Sequence, residues 1–141
     1  MTPGTILFDP DFSFPDGEIG RKLFIVLSDG STGAYITVNT TSRAKRKNEN
    51  PGCQPKSIKN TPANFFLPFQ SCCLDLPTWI LLDRFFEFDQ SLLLSRKMRK
   101  QIEYVGDLSR NITLELLDCA SNSDAITQAQ YELIMKALQN L

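Results

Sequence analysis

The hydrophobic and polar positions divide the chain into a strand-rich first part and a helical end. The most apolar stretch is LFIVL at residues 23–27, whose β-branched and aromatic side chains favour a strand. A second run of this kind, YITV, follows at residues 35–38. The residues between them, SDGSTGA, include an Asp-Gly pair, which is typical of a tight connection between antiparallel strands. The pattern therefore predicts an antiparallel pair around which the rest of the chain is organised.

Shorter apolar runs predict further strands, separated by loops. These strands are expected at residues 4–8, 64–68, 79–82, 85–88 and 102–108. Residues 9–18 contain the turn signature Pro15-Asp16-Gly17 and are predicted to form a loop. The polar stretch at residues 43–60, with Pro51-Gly52 near its middle, is predicted to be a mobile basic loop rather than a packed element.

The last part of the chain is predicted to be helical. Thr127 suits the N-cap of a helix at residues 128–140, and Gln130 suits the capping-box position three residues later. Apolar side chains recur along one face of this helix, at Leu133, Ile134, Ala137, Leu138 and Leu141. Residues 112–120 fit either a helix or a strand, and Ser109 as an N-cap favours the helix. Strands followed by one or two helices predict a mainly β, α+β fold or a small barrel closed by helices.

Length and composition are those of a single globular domain spanning residues 1–141. Apolar residues make up 42% of the chain and charged residues 22%, so the composition gives no indication of disorder. Because the net charge is −1, any anion site must come from local clustering of basic residues. No stretch reaches the roughly 18 apolar residues of a membrane span, and no signal-peptide layout is present. We therefore expect a cytoplasmic location without membrane association.

The chain contains no histidine, which excludes nucleophile systems built from Ser-His-Asp or Cys-His. Its four cysteines are Cys53, Cys72, Cys73 and Cys119. Two of them are adjacent and therefore lack the CxxC spacing of common zinc sites, so we predict no metal site. Without an export signal, the thiols are expected to be reduced and either buried or incidental.

Basic residues and hydroxyls occur at the two strand ends that an antiparallel pairing brings together. Arg21 and Lys22 precede the first strand of the predicted pair, and Thr40, Thr41 and Ser42 follow the second. Because the start of one antiparallel strand lies beside the end of the next, these side chains are expected to meet at one end of the sheet. That combination suits a phosphate group. The alternative is an ordinary pair of solvated strand ends.

Two further segments could contact a polyanion. The loop at residues 43–60 carries six basic residues against one acid, and SRKMRK at residues 95–100 carries four basic residues. The loop is either a solvated connector or a flap that contacts a polyanion beside Thr41. Trp79 and the neighbouring phenylalanines could stack on bases, but an apolar run of this density is predicted to be core.

The order of several short motifs resembles the MazF/PemK family of toxin ribonucleases. The opening strand GTILF, the sequence GEIGRK before LFIVLSD, and TVNTTS ending at Ser42 follow the family order. LLDRFFEFDQSLL at residues 81–93, VGDLS at 105–109 and the final amphipathic helix complete it. The resemblance covers most of the chain. It implies a small SH3-like β-barrel of the MazF/PemK/CcdB type with one or two C-terminal helices.

The same resemblance implies a function and partners. The family consists of prokaryotic toxins that cleave single-stranded RNA without a metal or other cofactor. Members usually form homodimers, and a cognate antitoxin protein holds them inactive. The expected activity is therefore that of an endoribonuclease, a hydrolase acting in the cytoplasm.

Individual residues are assigned by aligning the strand that begins at Leu23 with the family. Lys22 then takes the place of the family arginine, and Thr41 takes that of the threonine that bonds a phosphate oxygen. Arg21 and Ser42 are neighbouring stand-ins, and Glu18 could orient the cation or accept a proton. Further RNA contacts are expected from Arg43, Lys45, Arg46, Lys47 and Lys56.

Replacing arginine by lysine keeps the charge but loses the planar fork that grips phosphate. This difference leaves a weakened enzyme and a non-catalytic barrel module that binds RNA or a protein partner as alternatives. A relative that inhibits a topoisomerase, as CcdB does on a similar scaffold, is a third.

Overall fold

A computed structural model of the chain describes residues 1–43, 49–56, 62–68 and 73–141. Within these ranges the chain forms eight strands and three helices, which confirms an α+β fold. The strands are β1 (Thr5–Ser13), β2 (Ile19–Val26), β3 (Ala34–Thr41), β4 (Gly52–Gln54), β5 (Asn64–Leu67), β6 (Thr78–Leu81), β7 (Phe86–Asp89) and β8 (Glu103–Asp107). The helices are α1 (Gln90–Met98), α2 (Arg110–Ser121) and α3 (Gln128–Gln139). None of these described helices has the length and apolar character of a membrane span.

The predicted antiparallel pair lies in the middle of the sheet as β2 and β3, with Ile25 opposite Val38. The described strands follow the order β4-β5-β6-β3-β2-β1-β8, and each pairs antiparallel with its neighbours. β7 lies off this path and pairs with the first half of β3, whereas β6 pairs with its end at Thr40 and Thr41. In the described part of the chain β4 and β8 do not pair with each other, so the sheet is open.

Both faces of the central strands are buried, which explains why LFIVL has no polar position. Ile25 belongs to a large core shared with Leu116 of α2 and Ile134 of α3. Its neighbour Phe24 belongs to a second core on the other face, together with Leu93 of α1. Because successive side chains of a strand point to opposite faces, a strand covered on both sides is continuously apolar.

The two last helices begin where the sequence predicts. The hydroxyl of Ser109 accepts the N–H of Ile112 at the start of α2, at 3.2 Å. Thr127 and Gln130 form a complete capping box at α3, with hydrogen bonds of 3.1 and 3.0 Å between each side chain and the backbone N–H of the other. The predicted apolar face of α3 packs against the larger core.

We expect Thr127→Ala to lower the free energy of unfolding by about 1 kcal/mol, because it leaves the N–H of Gln130 without its acceptor. Urea denaturation followed by far-UV circular dichroism measures this loss. Thr127→Ser keeps the hydroxyl oxygen and is the matched control, expected to stay within about 0.5 kcal/mol of the wild type. An alanine variant as stable as the serine variant would contradict the capping role.

Three predicted boundaries differ from the structure. β1 continues to Ser13, past a bulge that follows Asp9, into the stretch predicted to be a loop. β4 lies within the loop predicted at residues 43–60 and pairs with β5. α1 begins after Asp89, whose carboxylate accepts the N–H of Leu92 at 3.0 Å, where the sequence predicted only a basic cluster. Because α1 precedes β8, the predicted order of strands first and helices afterwards is wrong at this point.

The expectation of reduced thiols is wrong for Cys53 and Cys119, which form a disulfide. The two residues are 66 positions apart, and packing of α2 against β4 brings their Cα atoms to 5.6 Å, a separation that a disulfide spans. No local feature of the sequence marks such a pair. Cys73 is exposed, and Cys72 lies outside the described residues.

Candidate functional site

A cleft of about 720 Å³ opens where β2 begins and β3 ends. The two strand ends contribute Arg21, Lys22, Leu23, Thr40, Thr41, Ser42 and Arg43. The segment leading into β6 contributes Cys73, Leu74, Asp75, Leu76 and Thr78, and the rest of the lining is Phe8, Phe14 and Val105. The structure therefore brings these cations and hydroxyls together at one end of the sheet, and their function as a phosphate site stays a prediction.

The β2–β3 ladder ends just before the cleft. Its last pair is Phe24 with Asn39, and residues two apart along a strand share a face. If this register continued by two residues, Lys22 would stand opposite Thr41. Beyond the ladder the strands stay together through the Thr40 hydroxyl, which donates to the carbonyl oxygen of Leu23 at 3.0 Å.

The half-buried Thr41 is fixed by its neighbours. It pairs with Trp79 of β6, and its hydroxyl oxygen accepts the backbone N–H of Arg43 at 3.2 Å. Because the hydroxyl acts as acceptor in this contact, its proton remains to donate to a ligand oxygen. The same contact keeps Arg43, which also lines the cleft, next to Thr41.

The half-buried Lys22 lies near the ring of Phe14 and pairs with an aspartate of β1. Its Nζ lies 6.0 Å from the ring centroid of Phe14, at the outer limit of a cation–π contact. Its partner in the β1–β2 ladder is Asp9, of which only 4% is exposed and whose carboxylate accepts the N–H of Asp11 at 2.9 Å. Directly opposed strand residues share a face, so this buried carboxylate can hold the ammonium group in position.

The sequence predicts a loop at residues 9–18 and therefore gives Asp9 no partner, and a bulge in β1 would hide the pairing even from a hairpin prediction. Phe14 and Glu18 bracket the Pro15-Asp16-Gly17 turn through a backbone hydrogen bond of 2.8 Å. Counting back from that turn puts Pro10 opposite Lys22. The bulge that follows Asp9 shifts the register by one residue, and no sequence signal marks its position.

Beside the cleft, the side chain of Cys73 packs closely against the backbone of β8 at Gly106. A Cβ atom at Gly106 would lie 2.5 Å from Sγ of Cys73, so glycine is needed for this packing. Next to it, the Tyr104 hydroxyl and the Thr5 hydroxyl both donate to the carboxylate of Asp107, the latter at 3.0 Å. The bond to Asp107 raises the pKa of Tyr104, because the neutral phenol is the form that donates to the carboxylate.

The charged groups of the cleft favour an anion. Among the described lining residues, Arg21, Lys22 and Arg43 are basic and Asp75 is acidic. Cations and a hydroxyl donor can stabilise extra negative charge on a phosphate, and a carboxylate can accept a proton. The apolar lining, which includes Phe14, Leu74 and Leu76, suits a nucleobase next to that phosphate.

Other predicted residues lie away from this cleft. Glu18 is exposed in the turn between β1 and β2 and is not among the lining residues, so the structure does not bring it together with Lys22 in the cleft. Lys56 lines a second cavity beside the disulfide. Lys45, Arg46 and Lys47 lie outside the described residues. The RNA-binding role of all of these basic residues stays a prediction.

No protein-family model matches the chain, and no curated protein is significantly similar to it in sequence. The MazF/PemK resemblance stays a prediction that rests on the order of its motifs.

Proposed function

We propose that this chain is a MazF/PemK-like toxin of a toxin–antitoxin pair, an endoribonuclease that cleaves single-stranded RNA without a metal. The observation that carries the proposal is that Lys22 and Thr41 line one cleft, at the start of β2 and the end of β3. A homodimer and a cognate antitoxin protein are the partners that belong to this proposal.

The proposed reaction uses the RNA's own 2′-hydroxyl as the nucleophile. Its oxygen bonds to phosphorus, the bond from phosphorus to the 5′-oxygen breaks, and a 2′,3′-cyclic phosphate remains. Lys22 stabilises the charge on the phosphate and can protonate the leaving oxygen, while Thr41 donates to a phosphate oxygen. Asp75, the carboxylate in the described lining, is our candidate acceptor for the 2′-hydroxyl proton.

The proposal includes a fold, in which the sheet curves into an SH3-like barrel. β3 pairs with β7 at its start and with β6 at its end, both antiparallel. A strand that changes partners along one edge supports a sheet that bends around it, as strands do in small barrels. This curvature would bring the segment before β6 over the ends of β2 and β3, which is the position of the cleft.

Incubation of the purified protein with a long single-stranded RNA, with and without EDTA, tests the activity. We expect cut fragments in both arms, with 2′,3′-cyclic phosphate ends. A DNA of the same sequence is the matched control and should stay intact because it lacks the 2′-hydroxyl. RNA that remains whole at acidic, neutral and alkaline pH would overturn the enzymatic proposal.

The second candidate is a barrel module that binds RNA or a protein partner without cutting. Lys22 favours it, because an ammonium group is a point charge and lacks the bidentate donors of a guanidinium. The same incubation separates the two functions. Intact RNA that is retained by the protein, with an affinity that falls as salt rises, would favour the binding module.

A further inference from the structure

The Cys53–Cys119 disulfide joins the last strand of the sheet path to a helix of the core. Cys53 lies in β4, which has three residues and pairs with β5. Cys119 lies in α2, and 5% of it is exposed. The bond therefore connects a short edge element to a helix that is buried in the larger core.

Apart from this bond, β4 has little to hold it. None of its residues is buried: Gly52 and Gln54 are half-buried and Cys53 is exposed. An edge strand of three residues with no buried side chain gains little from the hydrophobic effect, and such elements open at low free-energy cost. The covalent link to α2 is thus the strongest attachment of β4.

Through the chain, β4 also positions Lys56, which follows its last residue, Gln54, by two positions. Lys56 is exposed, lines the cavity beside the disulfide and is one of the predicted RNA contacts. The position of β4 therefore limits where this cation can lie.

The disulfide is accessible to a reductant from one side. A cavity of about 640 Å³ is lined by both cysteines, together with Pro55, Lys56 and residues of the α2–α3 connection. Asp83 and Asp124 also line it, so its charge is mixed. Because Cys53 is exposed and Cys119 is buried, an incoming thiolate reaches the sulfur of Cys53.

We propose that Cys53–Cys119 is a thiol-exchange site at which a small thiol or a protein dithiol controls the position of β4 and of Lys56 beside it. A thiolate of the reductant bonds to Cys53 sulfur, the Cys53–Cys119 bond breaks, and Cys119 leaves as a thiolate that takes up a proton. A second thiol of the reductant then displaces Cys53, so two thiols are oxidised to one disulfide while this disulfide becomes two thiols. Reduction releases β4, and Lys56 with it, from α2, and the effect of this release on RNA rests on the proposed function.

The first test measures, without RNA, how firmly the disulfide holds β4 against α2, which we call the clamp. Oxidised protein is compared with protein treated with reduced glutathione or dithiothreitol, and alkylation with mass analysis records the state of Cys53 and Cys119. Limited trypsin digestion then follows cleavage after Lys56. We expect reduction to accelerate this cleavage at least about tenfold, because proteolysis follows the population of the opened form.

Cysteine variants show whether the response to reductant comes from the Cys53–Cys119 bond or from Cys73. The double variant Cys53→Ser, Cys119→Ser should digest at the reduced rate with or without reductant, and Cys73→Ser should respond to reductant as the wild type does. If the double variant does not fold, the reduced wild-type protein remains the test. An oxidised protein in which both thiols can be alkylated, or a tryptic rate that reduction leaves unchanged, would overturn the clamp.

The second test adds a single-stranded RNA oligonucleotide and compares its salt-dependent affinity for the oxidised and reduced protein. A difference of severalfold supports control of the RNA contact by the disulfide. Equal affinities together with accelerated digestion would overturn that control while leaving the cleft as an RNA site. If neither form binds RNA, the proposed function fails, and the digestion result alone decides the clamp.

Discussion

We expect Lys22→Ala to lower the rate of RNA cleavage by about 10²- to 10³-fold, the loss that follows removal of one well-placed group that stabilises transition-state charge. Lys22 and Thr41 line the same cleft, and the proposed function has the ammonium group of Lys22 meet a phosphate that the Thr41 hydroxyl binds. Single-turnover cleavage of a labelled RNA, with protein in excess, measures the chemical step. Because the group acts on charge in the transition state, the affinity for uncut RNA should fall much less than the rate.

Two comparisons decide whether the loss belongs to this position. Lys22→Arg keeps a cation and adds a planar fork, so it should cleave at least as fast as the wild type. Lys136→Ala removes an exposed cation on α3, whose Nζ lies 3.5 Å from the hydroxyl of Ser31, and should leave the rate unchanged. Full activity in Lys22→Ala, combined with loss in Arg21→Ala, would move the role to the neighbouring residue on the alternate face.

The parts of the site that the sequence could predict depend on local signals. The β2–β3 pair follows from two apolar runs and the Asp-Gly connection between them, and antiparallel pairing then brings Lys22 and Thr41 to the same cleft. The start of α3 follows from a threonine and a glutamine three residues apart, which form the capping box. In each case the deciding interaction lies within a few residues or one hairpin.

The parts that could not be predicted depend on contacts between distant segments. Asp75 reaches the cleft because the segment before β6 packs over the ends of β2 and β3, and neither periodicity nor composition records that packing. The disulfide requires α2 to lie against β4. The length of β1 was missed for a different reason, since Pro10 and the surrounding acids favour a loop while pairing with β2 outweighs that preference.

Trp79 is where the core and the candidate site meet. It is paired with Thr41 in the β3–β6 ladder, and its ring centroid lies 4.6 Å from that of Phe66. Only 2% of the residue is exposed, which favours the core interpretation over stacking on a base. A side chain in this position supports the strand that carries Thr41, so the geometry of the cleft depends on packing beneath it.

Trp79→Ala is therefore expected to lower the free energy of unfolding by about 3–5 kcal/mol, the cost of emptying a buried aromatic site. Trp79 is the only tryptophan of the chain, so its removal ends the fluorescence signal, and urea denaturation is best followed by far-UV circular dichroism. Trp79→Phe leaves a smaller gap and should lose less, while Met98→Ala, at a residue 84% exposed, should stay within about 0.5 kcal/mol of the wild type. A Trp79→Ala protein that keeps its stability but loses RNA affinity would show that the indole contacts a base instead, because a core side chain cannot be removed without that energetic cost.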